Sequence, residues 1–184
     1  MKIKFASWLI AVSIAFVLPL CANAATVTYS FNLDGSQEVP PVGSPAAGSA
    51  QITIDDIADS ISFAVVAFNL LGSPAAAHIH FAPAGVLGPA VFDLVAAADF
   101  VSPVTIGPIV IPSSLAFAGF DIALPLGLGA SINAAPWNFY VNIHTSAFPG
   151  GELRGQFAPV PVPAAVWLLG SALGGLGLVR RRAA

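Results

Sequence analysis

Between residues 26 and 157 apolar and polar residues alternate with a period of two, in runs too short for an amphipathic helix. TVTYSFNL, SAQITID, SISFAVVAFNL, AAHIHFA, PAVFDLV, LAFAGFD and WNFYVNIHT all show the pattern, and many of them are bounded by Gly, Pro, Asn or Asp. A β-strand points successive side chains to opposite faces, so each run describes a strand with one face in a core and one turned away from it. No long 3.6-residue pattern separates the runs. The expected fold class is therefore all-β, a Greek-key sandwich or barrel-like single domain. One short helical piece is expected around residues 126–134, ahead of Pro136 and Trp137 and weakened by Gly127 and Gly129.

Both ends differ in kind from this middle region. The start, MKIKFASWLIAVSIAFVLPLCANA, places Lys2 and Lys4 before an apolar run, residues 5–20, and then Ala22-Asn23-Ala24. That is the order of a secretory signal peptide, residues 1–24, with signal peptidase cutting after Ala24. A lipid attachment at Cys21 is disfavoured because Leu20 is too bulky for the position before it. Cleavage after Ala24 removes the chain's one cysteine. The exported domain then has no disulfide, although its compartment permits one, and must stand on its apolar core.

The far end, VPVPAAVWLLGSALGGLGLVRRRAA, carries no charge until Arg180, Arg181 and Arg182. Pro161 and Pro163 keep the chain extended, so a transmembrane helix is expected over residues 164–179. Its length is roughly 24 Å at 1.5 Å per residue, short of a hydrocarbon core of about 30 Å unless the arginines snorkel. The three arginines read as a stop-transfer cluster on the cytoplasmic side. Val160, Pro161, Val162, Pro163 and Ala164, followed by this helix and cluster, resemble a PEP-CTERM sorting signal in its V-P-L-P-A variant, with Val162 where Glu is usual. The resemblance implies an exosortase-type enzyme that cuts near the motif, an inner-membrane intermediate, and a product placed in the cell envelope or extracellular matrix. Three regions result: signal peptide 1–24, β domain 25–158 and sorting segment 159–184.

Charge narrows the partners. All nine acidic residues lie between residues 25 and 158, where Arg154 is the one basic residue. Such a domain repels phosphates and has no counterions to release, which excludes nucleic acid. The acids follow no calcium-loop spacing. Asp55, Asp56 and Asp59 mark a solvated turn, and Glu38-Val39-Pro40-Pro41 a rigid extended loop.

The chain's three histidines are His78 and His80 in AHIHF and His144 in YVNIHTSAFPGGELRGQF. Period two puts His78 and His80 on one strand face. It also groups Asn138, Tyr140, Asn142 and His144 on a second strand, and Glu152, Arg154 and Gln156 on a third, with SAFPGG as the loop joining those two. The domain's only arginine and all its histidines thus fall on the polar faces of three strands.

The region from Tyr29 to Phe157 resembles the CHRD domain, named from the chordin family. The resemblance rests on LDGSQEVPPV at residues 33–42, AAGSA at 46–50, AHIH at 77–80, GPAV at 88–91, YVNIHT at 140–145 and PGGELRGQ at 149–156, with Phe81 departing from a frequent Gly. It implies a β-sandwich-like extracellular module, without implying a ligand.

Two readings of the polar faces follow. In the first, His78, His80, Asn142, His144, Glu152 and Arg154 form a structural polar patch, with Arg154 bridging Glu38 or Glu152 and the histidines capping backbone carbonyls. This reading gives a non-enzymatic envelope or matrix protein without a cofactor, in contact with extracellular polysaccharide or matrix. In the alternative, His78, His80 and His144 are a three-imidazole site for zinc or copper, with no fourth ligand evident from the sequence. Catalytic signatures such as G-x-S-x-G and H-E-x-x-H are absent, so no enzyme activity is expected.

Overall fold

A computed structural model describes residues 26–96, 99–102, 104–106, 109–111 and 113–157. The expected signal peptide, the sorting motif, the helix over residues 164–179 and the arginine cluster lie outside the described residues. Among the described residues, no helix is long and apolar enough to cross a membrane.

The chain forms β1 (Thr26–Asp34), β2 (Ala47–Asp55), β3 (Ser60–Phe68), β4 (Pro74–Phe81), β5 (Ala90–Asp93), β6 (Asp99–Val101), β7 (Val104–Ile106), β8 (Ile109–Ile111), β9 (Leu115–Ala123), α1 (Leu128–Ala134), β10 (Phe139–Thr145) and β11 (Leu153–Gln156). The all-β expectation holds. One antiparallel sheet runs in the order β5-β4-β10-β11-β1-β2-β3-β9-β6, and β7 and β8 make a separate ribbon. The helix begins at Leu128 rather than residue 126, with Gly127 as its left-handed N-cap at φ 77°.

The alternating runs become strands because their apolar members share one core. Ile52, Ile54, Ile61 and Val65 enter it from one half of the sheet, and Ile79, Val141, Ile143 and Leu153 from the other. Both halves can reach a common cluster only if the sheet curls over on itself, as in a half-barrel. Burying each of these side chains contributes about 1.5–3 kcal/mol.

The pairing along the sheet is shortest where β11 meets β1. Those strands share a single register pair, Asp34 with Arg154, whereas β1 and β2 pair from Thr26–Asp55 through to Asp34–Ala47. A Cβ on Gly155 would stand 2.7 Å from the Asn32 carbonyl oxygen and from Leu33 Cδ2, so the crossing needs glycine there. Side chains then hold the seam. Phe157 packs on Tyr29 and Phe31 at ring separations of 5.4 and 5.0 Å. The Tyr29 hydroxyl donates to Asn133 Oδ1 on α1 at 2.8 Å, and burial pushes its pKa up to about 12.

The motif after β1 adds a second tie. Asp34 caps the turn that follows, accepting from the Ser36 hydroxyl and from the Ser36 and Gln37 backbone N–H groups. These bonds, led by the one from Ser36, hold its carboxyl below the usual range. Gln37 donates to Asp34 Oδ2 at 2.8 Å and accepts from the Gln156 N–H at 3.2 Å. The turn after β2 is the one expected at Asp55 to Asp59: Asp55 Oδ1 accepts from the N–H groups of Ile57 and Ala58.

Candidate metal centre

β10 lies between β4 and β11, so the three polar faces form one continuous surface. The register sets His80 beside Tyr140 beside Gln156, then His78 beside Asn142 beside Arg154, with His144 beside Ala76 in the next row. This brings the three histidines together. Their ring centroids are 5.0 to 5.7 Å apart, and one ring nitrogen of each lies within 4.8 Å of the others.

The outer nitrogens of two of the rings are held. His80 Nδ1 donates to the Gly88 carbonyl at 2.9 Å, and His144 Nδ1 to the Pro149 carbonyl at 3.0 Å. A carbonyl can only accept, so these contacts place the proton on Nδ1 and leave the Nε2 lone pair free. His78 Nε2 stands 4.0 Å from Asp93 Oδ2 on β5. The nitrogens left buried without a partner are His78 Nδ1, His80 Nε2 and His144 Nε2. Burial holds His80 and His144 below the usual imidazole range, and their neighbours' positive charge adds to this, His78 and Arg154 for His80, and His78 and His80 for His144. Neutral rings with an oriented outer N–H are the form in which histidine binds a metal.

A loop over residues 82–88 is pinned above His80. Arg154 donates to the Val86 carbonyl at 2.9 Å and to the Pro83 carbonyl at 3.0 Å. Gln156 donates to the Ala82 carbonyl at 3.0 Å, and the Tyr140 hydroxyl accepts from the Gly88 N–H at 3.2 Å. Tyr140 is stacked between His80, 4.9 Å away and nearly parallel, and the Arg154 guanidinium, 3.5 Å from its ring centre.

Two expectations are corrected here. The acceptors of Arg154 are those two carbonyls and Gln156 Oε1 at 2.9 Å, none of them a carboxylate, so it bridges neither Glu38 nor Glu152. The reason is direction: its side chain runs toward the loop, where carbonyl oxygens converge. Glu152 does not join the histidines. It is fully buried and accepts from the Ser44 hydroxyl at 2.6 Å, the Leu71 N–H at 2.8 Å and the Thr145 hydroxyl at 2.7 Å. On the face opposite the histidines, Phe81 packs on Phe139 at a ring separation of 5.1 Å.

Asn142 links the cluster to a buried carboxyl. Its amide donates to Glu38 Oε2 at 3.4 Å, while Glu38 Oε1 and Asn142 Oδ1 have no partner among the described residues. Burial pushes the Glu38 pKa up to about 7, against the pull of Arg154 and of the Asn142 amide. The extended-loop reading of Glu38-Val39-Pro40-Pro41 missed this burial. It also missed Asp93, Gly88 and Pro149, because period two assigns a face but not which strand lies alongside.

No curated protein and no solved structure matches the chain. The CHRD domain matches it over residues 29–157, and the chain belongs to that family.

Proposed function

We propose that this protein is an exported, non-enzymatic module that holds one transition-metal ion, zinc or copper, on His78, His80 and His144. Membership of the CHRD family supports an extracellular or secreted setting. One observation carries the metal reading: three imidazoles each have a buried nitrogen without a partner, with one ring nitrogen of each within 4.8 Å of the others, while His80 and His144 are oriented from behind by carbonyls. An ion bonded at about 2.0 Å to each nitrogen in tetrahedral geometry needs them about 3.3 Å apart, so the rings close inward by small rotations. The absence of a thiolate from this set, and its three nitrogen donors, favour zinc and copper over harder cations. The structural role given to the histidines in the first reading of the polar faces belongs, for His80 and His144, to their outer nitrogens, so the two roles use different atoms.

The ends complete the reading. A signal peptide over residues 1–24 directs export. The segment from Val160 to Arg182 is a sorting signal cut by an exosortase-type enzyme, which leaves the domain in the envelope or matrix, beside extracellular polysaccharide.

The metal test uses the full chain in mild detergent, with Cys21→Ser and no polyhistidine tag. Zinc should bind at one equivalent and raise Tm, by about 2.7 kcal/mol of stability at a hundredfold excess over Kd. His80→Ala and His144→Ala should abolish both effects. An unchanged wild-type Tm at saturating zinc and copper would reject the metal reading. Intact mass of the product from native cells tests the ends: a chain starting at Ala25 and ending near residues 160–164 is expected, and an intact tail would reject sorting.

A further inference from the structure

We infer that Glu38 is a proton-held tie between the loop after β1 and strand β10. Its carboxyl carries a proton on Oε1 and donates it to Asn142 Oδ1, while the Asn142 amide donates to Oε2. This reciprocal acid–amide pair is closed in mildly acidic solution and opens as the solution turns alkaline. The inference does not rest on the metal reading.

Geometry carries it. Glu38 and Asn142 are 4 % and 1 % exposed, and one bond joins them, from Asn142 Nδ2 to Glu38 Oε2 at 3.4 Å. The remaining oxygens of the same two groups, Glu38 Oε1 and Asn142 Oδ1, are buried and have no partner among the described residues. Both border one small space beside Gly151. A Cβ placed there would meet the Asn142 amide, with Nδ2 at 2.6 Å, and would stand 2.7 Å from Glu38 Oε1. An ionised carboxylate and an amide oxygen are both acceptors, so no hydrogen bond can form between them. A single proton on Oε1 makes that oxygen a donor and satisfies both atoms at once.

The surroundings set when the proton is held. Burial raises the Glu38 pKa to about 7, against the pull of Arg154, the Asn142 amide and the Val39 N–H, which favour the ionised form. Arg154 on β11 and His78 on β4 flank Asn142 in one row of the sheet, and His144 lies two residues further along β10. Glu152 keeps its carboxyl turned to Ser44, Leu71 and Thr145, and Asp34 keeps its own turned to Ser36 and Gln37. On either side of Glu38 the loop has other ties, Gln37 accepting from the Gln156 N–H and Ser44 donating to Glu152. Loss of the proton therefore loosens the middle of the loop without detaching it. Glu38 also lines a cavity of about 320 Å³ with Ala84, Arg154 and Gln156, so the same event places a negative charge in that cavity's wall.

The test uses the tag-free Cys21→Ser full chain in mild detergent, kept metal-free, with ¹³C at the carboxyl carbons of its two glutamates, Glu38 and Glu152. Between about pH 5 and about pH 9, NMR should show one carboxyl resonance, missing from Glu38→Gln, that titrates at about pH 7. The Asn142 side-chain amide should shift with the same midpoint. A Glu38 resonance with the midpoint of an ordinary carboxylate would overturn the proton. An Asn142 amide that stays still while Glu38 titrates would overturn the pair. Hydrogen exchange reads the loop through the Val42 N–H, which is bonded to the Gly35 carbonyl at 2.8 Å. Its protection should fall about tenfold across this pH range in the wild type. In Glu38→Gln it should hold, because the glutamine amide makes the same two bonds at every pH. Equal changes in the two proteins would overturn the pH-dependent tie.

Discussion

Glu152, just before β11, and the histidine nitrogens on β4 and β10 are all buried polar groups, yet their hydrogen bonding is opposite. Glu152 has three donors from three separate segments, and no part of its carboxylate lacks a partner. Two of the histidines, His80 and His144, are held from behind, and the three rings leave three nitrogens without a partner. Buried polar atoms without partners are costly, and Glu38 Oε1 and Asn142 Oδ1 next to the cluster share that state, so the unsatisfied atoms are concentrated on this side of Glu152. The difference separates a polar group that closes the fold from a set that retains binding capacity.

Four perturbations probe that contrast. The largest effect is expected at the closed end. Glu152→Ala strands the Ser44 hydroxyl, the Leu71 N–H and the Thr145 hydroxyl, and hydrogen bonds to a charged group contribute about 1.5–3 kcal/mol each. Urea denaturation should show a loss of about 3 kcal/mol or more, well above the effect of His80→Ala without metal. Equal losses would erase the contrast.

Gly151→Ala tests the ground between the two regions. Gly151 has φ 131°, and a Cβ there would meet the Asn142 amide and stand 2.7 Å from Glu38 Oε1. A loss of about 1–3 kcal/mol is expected from the strained backbone alone. Stability within experimental error of wild type would show that the Glu38–Asn142 contact is looser than drawn.

The third perturbation is pH. The Glu38 pKa rises from 4.5 to about 7 on folding, so its protonated form suits the folded state. Its contribution is full below pH 4.5 and is lost as pH rises toward 7. His80 and His144 have lowered values, so the folded state is penalised as pH falls below 6.5, where the unfolded rings take up protons first. Glu38→Gln should match wild type near pH 4.5 and exceed it at pH 8 by about 1–2 kcal/mol. A constant difference across this range would refute the Glu38 assignment. The smallest effect is expected for Asp93→Asn, since Asp93 is half exposed and 4.0 Å from His78. Zinc affinity should fall less than tenfold, below the usual range for a residue supporting a metal ligand. A hundredfold loss would mean that Asp93 itself binds the ion.

The sequence makes some of this legible and hides the rest for a definite reason. Alternation in AHIHF, YVNIHT and ELRGQ puts the right residues on polar faces, because face is a local property of a strand. It cannot show that β10 inserts between β4 and β11, which decides that His144 meets His78 and His80. Nor can it show the destination of a long side chain: Arg154 and Glu152 share a face yet reach in different directions. The three-residue strands between residues 99 and 111 escape notice because so few positions establish no period. The carbonyls of Gly88 and Pro149 carry no signal in residue type at all.

Strand order also fixes when the centre can exist. His78 and His80 belong to β4, but His144 arrives on β10, and β11 must dock between β10 and β1 before the surface is complete. A chain that crosses a membrane from its N-terminus delivers the pair early and the third imidazole near the end of the domain. The incomplete pair is a weak chelator, and the full trio assembles only once residues 139–157 have emerged. Under the metal reading proposed above, loading on an exported chain would be a late event on the far side of the membrane, drawing on the ions of that compartment.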